Sequence, residues 1–404
     1  MKKALENIRI LDLSRVLAGP VCTQILGDLG AEVIKVERPG FGDDTRKWGP
    51  PFLHDDSGQD TSESSYYLAA NRNKKSVSID FTTEKGRELI KQLVAKSDVL
   101  IENYKTGGLE KYGLSYEQLK DEFPELIYCS ITGFGQNGPL ASEPGYDFLA
   151  QAMAGLMSIT GDPQGEPMKV GVALSDVMTG LYAAISILAS MNYREKTGKG
   201  QYIDLSLVDC TLAGMTNIAQ YFLTTEQDPP RLGNSHASIV PYEAFAAKDG
   251  FVILAIGNDG QFARFAKFVD HEEWASDQRF SKNADRVINR DILLPLIKEI
   301  MKDHTVQYWI DKLVEIDVPI GPVNNMKQVF SMDQIKAREM KVDVEHSLTS
   351  RKISLVGSPI KLSESAVSYE CGPPTLGQDN EKVLSDILGL ELSEINQLKD
   401  EEII

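Results

Sequence analysis

The sequence predicts an α/β fold in which parallel strands alternate with helices, followed by a smaller unit of mixed α+β structure. Near the N-terminus, the apolar run Ile8–Leu13 is followed by a helix-like segment, Val21–Leu29, and by a second strand-like run, Glu32–Val36. This order is a βαβ unit, whose two strands pair in parallel. From about Asp228 onward, glycine-containing turns and amphipathic helices replace it, which indicates a separate α+β unit.

The same alternation continues through the first half of the chain. Pro20 fits position N1 of the first helix, and Gly30 fits its end. The segment His54–Ser65 is polar, and we expect a mobile loop there. Further strands are expected at Val77–Asp80, Val99–Asn103, Leu126–Ile131 and Gln201–Leu207, and helices at Thr83–Ser97 and Ser115–Glu122.

The turn after the first strand, SRVLAGP, occupies the place of a nucleotide-binding loop but lacks the pattern G-x-G-x-x-G. The glycines of that pattern let the backbone approach a pyrophosphate closely. A dinucleotide cofactor is therefore disfavoured. Two other glycine-rich loops, PGFGDDTRKWGPPF and TGFGQNGP, are long enough to suggest a functional role.

The stretch GVALSDVMTG, from Gly171 to Gly180, leads from an apolar, β-prone segment into a helix-like segment, Val177–Arg194. Ser175 and Asp176 are residue types favoured at a helix N-cap. Asp176 is thereby expected at a strand-to-helix turn, where helix N–H groups lower the pKa of a carboxylate and keep it ionised. Two interpretations stay open here, that Asp176 is a nucleophile and that it only caps the helix.

Composition limits the function classes. The net charge of −17 argues against a general nucleic-acid binder. We find no signal-peptide pattern and no apolar run of membrane-spanning length, so we expect a cytoplasmic protein without a membrane partner. The four cysteines lack C-x-x-C spacing and the five histidines lack ligand spacing, so we expect reduced thiols and no metal site.

Beyond the middle of the chain, the segment Pro319–Val323 reads as a return from the smaller unit. A helix is expected at Gln328–Arg338, and strands at Lys341–Leu348 and Val356–Leu362. The remaining tail is expected to end in a pair of short helices.

Several segments resemble, in order, the class III CoA-transferases, a family that includes formyl-CoA transferase, carnitine CoA-transferase and, as a relative, methylacyl-CoA racemase. They are LSRVLAGPVCTQILGDLGAEVIKVERPGFGDDTR, NKKSVSIDFTTEKGRELI, ENYKTGGLEKYGL, ITGFGQNGP and TGKGQYIDLSLVD. The resemblance implies a Rossmann-like large domain formed by residues 1–224 and 325–404, with a smaller α+β domain inserted at residues 225–324. It also implies that two copies form an interlocked homodimer.

The resemblance further implies a reaction. The family nucleophile is an aspartate in a G-x-x-x-x-D-x-x-x-G stretch, which here is Asp176. Its carboxylate attacks an acyl-CoA thioester to give a mixed anhydride, and the released CoA thiolate then forms an aspartyl-CoA thioester. The implied function is transfer of CoA from an acyl-CoA such as succinyl-CoA to a small carboxylic acid, preferably a dicarboxylate. CoA thioesters are substrates in this reaction, and no permanently bound cofactor is expected.

Matching motif positions also imply a CoA-binding set. Arg38 and Lys75 are the best candidates for pairing with phosphate. The stretch NRNKK has an alternative interpretation as a solvated strand edge, where lysine is common. The implied CoA-binding residues are Val16, Leu17, Ala18, Arg38, Arg72, Asn73, Lys74, Lys75, Asn103, Tyr104, Lys111, Tyr146 and Asp147.

Three residues are candidates for the acyl pocket, namely Arg15, His236 and Gln261. Arg15 stands where some transferases have a histidine, and a guanidinium there suits a dicarboxylate such as succinate or glutarate. His236 has the alternative of a purely structural hydrogen bond. Gln261 ends the stretch GNDGQ, which lies where formyl-CoA transferase has a flexible glycine run. Because that run is broken here, a lid and oxalate as acceptor are both disfavoured.

Two other functions stay open. An α-methylacyl-CoA racemase needs a His–Asp pair where this chain has Tyr146 and Asp147, and the phenol of tyrosine titrates far from neutral pH. An inactive CoA-binding protein would bind CoA without transferring it, and the intact Asp176 stretch disfavours that alternative.

Overall fold

The structure is a computed structural model that describes residues 3–404. These residues form two compact units. The first comprises residues 3–156, Val170–Gln220 and Gln334–Ile404, and the second comprises Met157–Lys169 and Tyr221–Asp333. We expected the smaller domain at residues 225–324. The second unit extends past both ends of that range and also takes in the segment Met157–Lys169.

The strands of the two units are numbered along the chain. They are β1 (Arg9–Asp12), β2 (Glu32–Glu37), β3 (Phe52–His54), β4 (Asp60–Ser64), β5 (Lys74–Ser78), β6 (Val99–Glu102), β7 (Ile127–Thr132), β8 (Tyr202–Ser206), β9 (Tyr242–Ala247), β10 (Gly250–Ala255), β11 (Ile320–Pro322), β12 (Lys341–His346) and β13 (Thr349–Val356).

The helices are numbered in the same way, and short 3₁₀ helices lie between them at Asp44–Lys47, Glu110–Tyr112 and Glu272–Ala275. The α-helices are α1 (Ala18–Asp28), α2 (Ser65–Ala69), α3 (Glu84–Val94), α4 (Tyr116–Leu119), α5 (Asp147–Met153), α6 (Leu156–Ile159), α7 (Leu174–Thr197), α8 (Leu207–Gly214), α9 (Thr216–Thr225), α10 (Asp259–Phe268), α11 (Asn283–Ile288), α12 (Arg290–Met301), α13 (Val306–Glu315), α14 (Met326–Ser331), α15 (Asp333–Ala337), α16 (Asn380–Leu388) and α17 (Leu392–Asp400).

The first unit is built on a six-stranded sheet with the spatial order β5-β2-β1-β6-β7-β8. Every neighbouring pair in this sheet is parallel, which confirms the predicted fold class. The strand order reverses direction between β1 and β6. In open parallel sheets, ligands bind at this point, outside the carboxyl ends of the strands.

Apolar side chains cover both faces of the sheet. Neighbouring residues of a strand point to opposite faces, so Ile10 and Leu11 of β1 enter two different cores. Ile10 packs in one core with Ile187 of α7, and Leu11 packs in the other with Leu89 of α3 and Leu384 of α16. Both faces are thus covered, as parallel sheets require, and the C-terminal end of the chain completes the first unit.

Helix α7 begins within the GVALSDVMTG stretch and packs in the core of the first unit. Its residue Gly180 allows a close approach to α1, because a Cβ atom there would lie 2.7 Å from the carbonyl oxygen of Ala18. Among residues 3–404, α7 is the helix whose length and composition would suffice to cross a membrane. The expectation that no segment reaches this length is therefore wrong. Ala183, Ala184 and Ile187 of α7 nevertheless pack inside the protein core.

Some local predictions are wrong. Residues 54–65, expected to be a mobile loop, supply the hairpin of β3 and β4 and the start of α2. Helix α7 begins at Leu174 without a strand before it, although a β-prone segment ending in a cap at Ser175 or Asp176 was predicted. Residues 356–362 are not a strand, since β13 ends at Val356 after pairing with β12. The helix expected at residues 328–338 is interrupted at Met332, which has an extended backbone.

The second unit has an antiparallel sheet with the order β11-β10-β9. Alternate residues of β10, including Val252 and Leu254, are fully buried and pack against Phe265 of α10 and Leu293 of α12. This core shares no residue with the two cores of the first unit. The unit therefore has the α+β character that the change of sequence pattern predicted.

Candidate active site

A cavity of about 730 Å³ lies in the first unit at the carboxyl ends of its parallel strands, and Asp176 lines it. Residues that lie shortly after the ends of the strands supply much of the wall. They are residues 15–18 after β1, Arg38 after β2, residues 79–82 after β5, residues 103–106 after β6 and Gly133 after β7. This is the position at which sheets of this topology bind ligands.

The turn from β1 to α1 is held in an unusual conformation beside this cavity. Val16 has φ of +70°, which is rare and strained for a β-branched residue. The Asn103 side chain fixes the turn by accepting from the Arg15 N–H (2.9 Å) and donating to the Arg15 carbonyl (2.7 Å). Asp43 accepts from the Val16 N–H (3.3 Å). These contacts hold the N-terminus of α1, with Leu17 and Ala18, in the cavity wall.

A buried ion pair supports this turn. Lys35 donates from Nζ to the carbonyl of Ser14 (2.9 Å) and to Asp43 (2.8 Å). Both side chains of the pair are fully buried. Burial opposes ionisation of Asp43, but the charge of Lys35 and its hydrogen bond outweigh burial and hold the pKa of Asp43 at about 2. Asp43 therefore stays ionised and keeps accepting from the strained turn.

Asp176 lies in the first turn of α7 and is only 8% exposed. Burial, together with the negative charge of Asp147, raises the pKa of Asp176 to about 7. The prediction that helix N–H groups would lower this pKa is wrong, because burial and a second carboxylate act on Asp176 in the folded chain. Asp147 Oδ1 accepts from the N–H of Ser175 (2.8 Å) and of Asp176 (3.3 Å). The helix start is thereby capped by a different carboxylate.

Most of the residues predicted for the site line this cavity. Arg38 lies over the ring of Phe41, at 4.2 Å from its centre, and Lys111 lies over Tyr112 at 4.7 Å. Both cations line the cavity, and cations of this kind pair with phosphate. The predicted residues found in the wall are Arg15, Val16, Leu17, Ala18, Arg38, Asn103, Tyr104, Lys111, Tyr146, Asp147 and Asp176.

Arg15 is the only predicted acyl-pocket residue that belongs to the first unit. Its guanidinium pairs with Asp44 (2.8 Å) and lies 5.3 Å from the centre of the Tyr104 ring. Its Nε is buried without a hydrogen-bond partner among residues 3–404, and so is the hydroxyl of Thr106 in the same cavity wall. Buried donors without partners are costly, so this part of the wall is suited to a polar ligand.

The internal contacts of Arg72 and Lys74 disfavour the CoA-binding interpretation of these two residues. Arg72 is buried and donates twice to Asp28, at 2.9 and 2.6 Å. Lys74 is fully buried and donates to Asn71 (2.9 Å), with Asp12 at 3.4 Å. The alternative of a solvated strand edge is wrong for Lys74. Both cations are held inside the protein by acidic and amide groups, and neither lines the cavity of Asp176.

Asn73 and Lys75 are likewise absent from the wall of that cavity. They line a separate cavity of about 220 Å³, where Lys75 pairs with Glu32 at 2.5 Å. Lys74 and Lys75 are the first residues of β5, whereas the Asp176 cavity receives residues 79–82, which follow that strand. The predicted CoA contacts of this stretch therefore lie at the opposite end of β5 from the Asp176 cavity.

His236 and Gln261 belong to the second unit. His236 Nδ1 accepts from the Ser238 N–H at 3.1 Å, the structural alternative that we had considered. Gln261 Oε1 accepts from the Gly257 N–H at 2.8 Å, and Asn258 caps α10 through the Gln261 N–H. The stretch GNDGQ is thus the ordered start of a helix, which opposes its use as a free lid.

Several residues of the site escaped prediction. Residues 79–82, Lys105 and Thr106 line the cavity. Lys35 and Asp43 form the ion pair that holds the turn after β1. The signal that would have found the wall residues is positional, since each lies at or just after the carboxyl end of a predicted strand. Within residues 3–404, no group of three or more His, Cys, Asp or Glu side chains is arranged to hold a metal ion.

Comparisons with known proteins show what this chain is similar to. The family model described as CoA-transferase family III matches residues 5–380. Human succinyl-CoA:glutarate CoA-transferase is 44% identical over 98% of this chain and 89% of its own length. Succinate–glutarate CoA-transferase of Agrobacterium fabrum is 43% identical over 96% and 97%. The crystal structure of a CaiB/BaiF family protein from Brucella suis superposes with a TM-score of 0.86 at 44% identity, covering 96% and 100%.

Proposed function

This chain belongs to CoA-transferase family III, and from that premise we propose that it moves CoA from succinyl-CoA to a second dicarboxylate through Asp176. The relatives named as acting on succinate and glutarate are 43 and 44% identical to this chain over nearly its whole length. Their substrates are the basis for choosing a dicarboxylate donor and acceptor.

The observation that carries the proposal is the state of Asp176. Its carboxylate is buried in the cavity wall, and among residues 3–404 no side chain pairs with it or donates a hydrogen bond to it. A carboxylate that is poorly solvated and free of cations is a strong nucleophile. With a pKa of about 7, it is half ionised near neutral pH and more basic than an ordinary aspartate, which favours attack.

The proposed reaction passes through two covalent intermediates on Asp176. An ionised Asp176 oxygen attacks the thioester carbonyl carbon, the C–S bond breaks, and CoA leaves as thiolate with a mixed anhydride left on Asp176. The thiolate then attacks the Asp176 carbonyl carbon, which releases succinate and forms an aspartyl-CoA thioester. An acceptor carboxylate repeats these steps in the reverse order. Helix N-termini favour negative charge, so the α1 turn at Leu17 and Ala18 is suited to the developing oxyanion.

The distal carboxylate of the substrate is assigned to Arg15. A guanidinium forms two parallel hydrogen bonds with a carboxylate, and Arg15 already has a buried Nε without a partner. Arg15→Ala is expected to lower kcat/KM for glutarate about 10- to 100-fold and to raise KM for the acid more than KM for CoA. The rate with pentanoate, which has no distal carboxylate, should hardly change.

The matched control for Arg15 is Arg279→Ala. Arg279 forms a similarly exposed ion pair with Asp277 (2.6 Å) in the second unit, and its removal should leave both acids unaffected. If Arg15→Ala reduces the rates with glutarate and pentanoate equally, Arg15 does not recognise the distal carboxylate.

The proposed active form is an interlocked homodimer. Leu181, Tyr182, Ile185 and Leu188 lie along one side of α7 and are 37–61% exposed. A contiguous exposed apolar surface of this kind is typical of an interface. Sedimentation should give twice the chain mass of 44.7 kDa, and Ile185→Glu should shift the protein toward monomer. A wild-type protein that sediments as monomer would contradict the homodimer.

The experiment that tests the nucleophile is covalent trapping. After incubation with succinyl-CoA and treatment with hydroxylamine or borohydride, mass spectrometry should find the modification on Asp176. Asp176→Ala should abolish transfer. Asp209→Asn is the matched control, because Asp209 also lies in the first turn of a helix, α8, but is exposed. Transfer that survives in Asp176→Ala, with Asp176 unmodified in the wild type, would overturn the proposal.

A further inference from the structure

We propose that Asp147 is a positioning residue for Asp176, because its carboxylate caps α7 from a different helix and fixes the nucleophile in the cavity. This inference rests on the proposed function and extends it to a residue that motif matching had assigned to CoA binding. Asp147 acts through its hydrogen bonds to the start of α7, through its own tether and through its charge.

The start of α7 lacks a cap of its own. The N-cap residue is Ala173, which has no side-chain hydrogen bond, and alanine is a poor N-cap because its side chain cannot accept. Asp147 Oδ1 takes over this role by accepting from the N–H groups of Ser175 (2.8 Å) and Asp176 (3.3 Å). One of these two donors belongs to the nucleophile itself.

A second side chain of α5, Gln151, ties Asp147 to the segment before α7. Gln151 is fully buried. Its Nε2 donates to Asp147 Oδ2 (2.8 Å) and to the Val172 carbonyl (3.3 Å), and its Oε1 accepts from the Val170 N–H (2.9 Å). Both oxygens of Asp147 are therefore in use, and residues 170–176 follow the position of α5.

The other side of the turn is held by α8. The hydroxyls of Ser175 and Thr211 lie 2.7 Å apart, and Thr179 donates to the Ser175 carbonyl at 2.8 Å. The turn that carries Asp176 is thus held by hydrogen bonds to both α5 and α8. A side chain on such a turn is held close to one geometry, as attack on a bound thioester requires.

Asp147 also acts through its charge. Burial and the Asp147 carboxylate raise the pKa of Asp176. The other titratable groups near this turn are Tyr66 of α2, whose pKa burial and the charge of Asp176 raise to about 12, and Cys210 of α8, whose pKa burial raises. Arg15 lines the same cavity. Converting Asp176 to a neutral anhydride or thioester removes its repulsion with Asp147, which favours the covalent intermediates over the resting pair.

Two substitutions separate the cap from the charge. Asp147→Asn keeps a side-chain oxygen that can accept from Ser175 and Asp176 but removes the negative charge. We expect it to retain kcat within about tenfold and to move the acidic limb of the kcat/KM–pH profile about one unit toward lower pH. Asp147→Ala removes the cap as well, and we expect kcat to fall about 100-fold with little change in KM for succinyl-CoA.

Asp379→Asn is the matched control for these variants. Asp379 also accepts from a backbone N–H, that of Ser76 at 2.9 Å, but it does not line the cavity, so the pH profile should not move. If Asp147→Ala does not fold, Gln151→Met removes the tether and leaves both carboxylates in place, and kcat should fall in that variant.

An unshifted acidic limb in Asp147→Asn, with unchanged kcat in Gln151→Met, would overturn the positioning role. Trapping in the wild type keeps this failure distinct from a failure of the proposed function. An adduct on Asp176 together with unaffected Asp147 variants would remove only the positioning role, whereas the absence of that adduct would remove the nucleophile.

Discussion

The buried carboxylate of Asp176 is expected to destabilise the fold when it is ionised, so Asp176→Asn should abolish transfer and stabilise the protein. Active sites often hold such unfavourable groups, and replacing them commonly raises stability at the expense of activity. Asparagine has nearly the same shape as aspartate, occupies the same place in the first turn of α7, and has no charge to bury.

The sign and size of the effect follow from the pKa of Asp176, about 7 in the folded protein against 3.8 for the free group. Between pH 3.8 and about pH 7, Asp176 keeps a proton in the folded state that it has lost in the unfolded state. The free energy of unfolding therefore falls as the pH rises through this range. Above pH 7 the wild type should have lost up to about 4 kcal/mol, at 1.36 kcal/mol per pH unit. The asparagine variant loses none of this.

Chemical denaturation at several pH values measures the effect. The difference in free energy of unfolding between Asp176→Asn and the wild type should be near zero at pH 4 and should grow toward about 4 kcal/mol at pH 8. Asp209→Asn, at an exposed position in the first turn of α8, should show no such growth. If Asp176→Asn and the wild type differ by the same amount at both pH values, the buried-carboxylate account of Asp176 is wrong.

Three further substitutions test the scaffold. Burial raises the pKa of Glu102 to about 7 against hydrogen bonds from Ser130 and the Tyr104 N–H, so Glu102→Gln should be up to about 3 kcal/mol more stable than the wild type at pH 8 and equal to it at pH 4; a pH-independent difference in denaturation would contradict this. Gly180→Ala places a Cβ 2.7 Å from the Ala18 carbonyl oxygen, so calorimetry should show a free energy of unfolding that is lower by about 1–3 kcal/mol. An unchanged free energy of unfolding would mean that α1 and α7 accommodate the methyl group. Arg46→Met leaves the two buried carboxylate partners of Arg46 without a positive charge beside them. Urea unfolding should then show a free energy of unfolding that is lower by about 3–5 kcal/mol. An unchanged free energy of unfolding would mean that these carboxylates are protonated.

The parallel sheet and its order of elements were predictable because their signals are local. Apolar runs of strand length alternate with helical segments, and Thr83 caps α3 through the Gly86 N–H as its position in the sequence suggests. The start of α7 was not predictable in this way. Its cap is Asp147, which lies 28 residues before Ser175 in the chain, and no local pattern shows that a distant carboxylate replaces a missing N-cap.

The pKa of Asp176 was predicted with the wrong sign for the same reason. The local rule considers the N–H groups of the helix, whereas the folded chain gives those groups to Asp147 and adds its charge. The lysines of NRNKK were misread because a run of cations in a sequence does not show which of them are buried. Lys74 is fully buried beside Asp12, an arrangement that only the packing of β5 against the rest of the sheet produces.

Arg38 and Lys75 give a direct test of whether position in the sheet or motif matching identifies the phosphate ligands. Arg38 follows the carboxyl end of β2 and lines the Asp176 cavity, whereas Lys75 lies near the start of β5 and pairs with Glu32 at 2.5 Å. Arg38→Ala should raise KM for succinyl-CoA about tenfold or more, the loss of one charge-assisted hydrogen bond, in initial rates at saturating glutarate. Lys75→Ala should leave this KM within about twofold, because a partly exposed ion pair contributes little. A larger effect from Lys75 than from Arg38 would mean that CoA binds at the amino ends of the strands, where the helix N-termini that favour its phosphates do not lie.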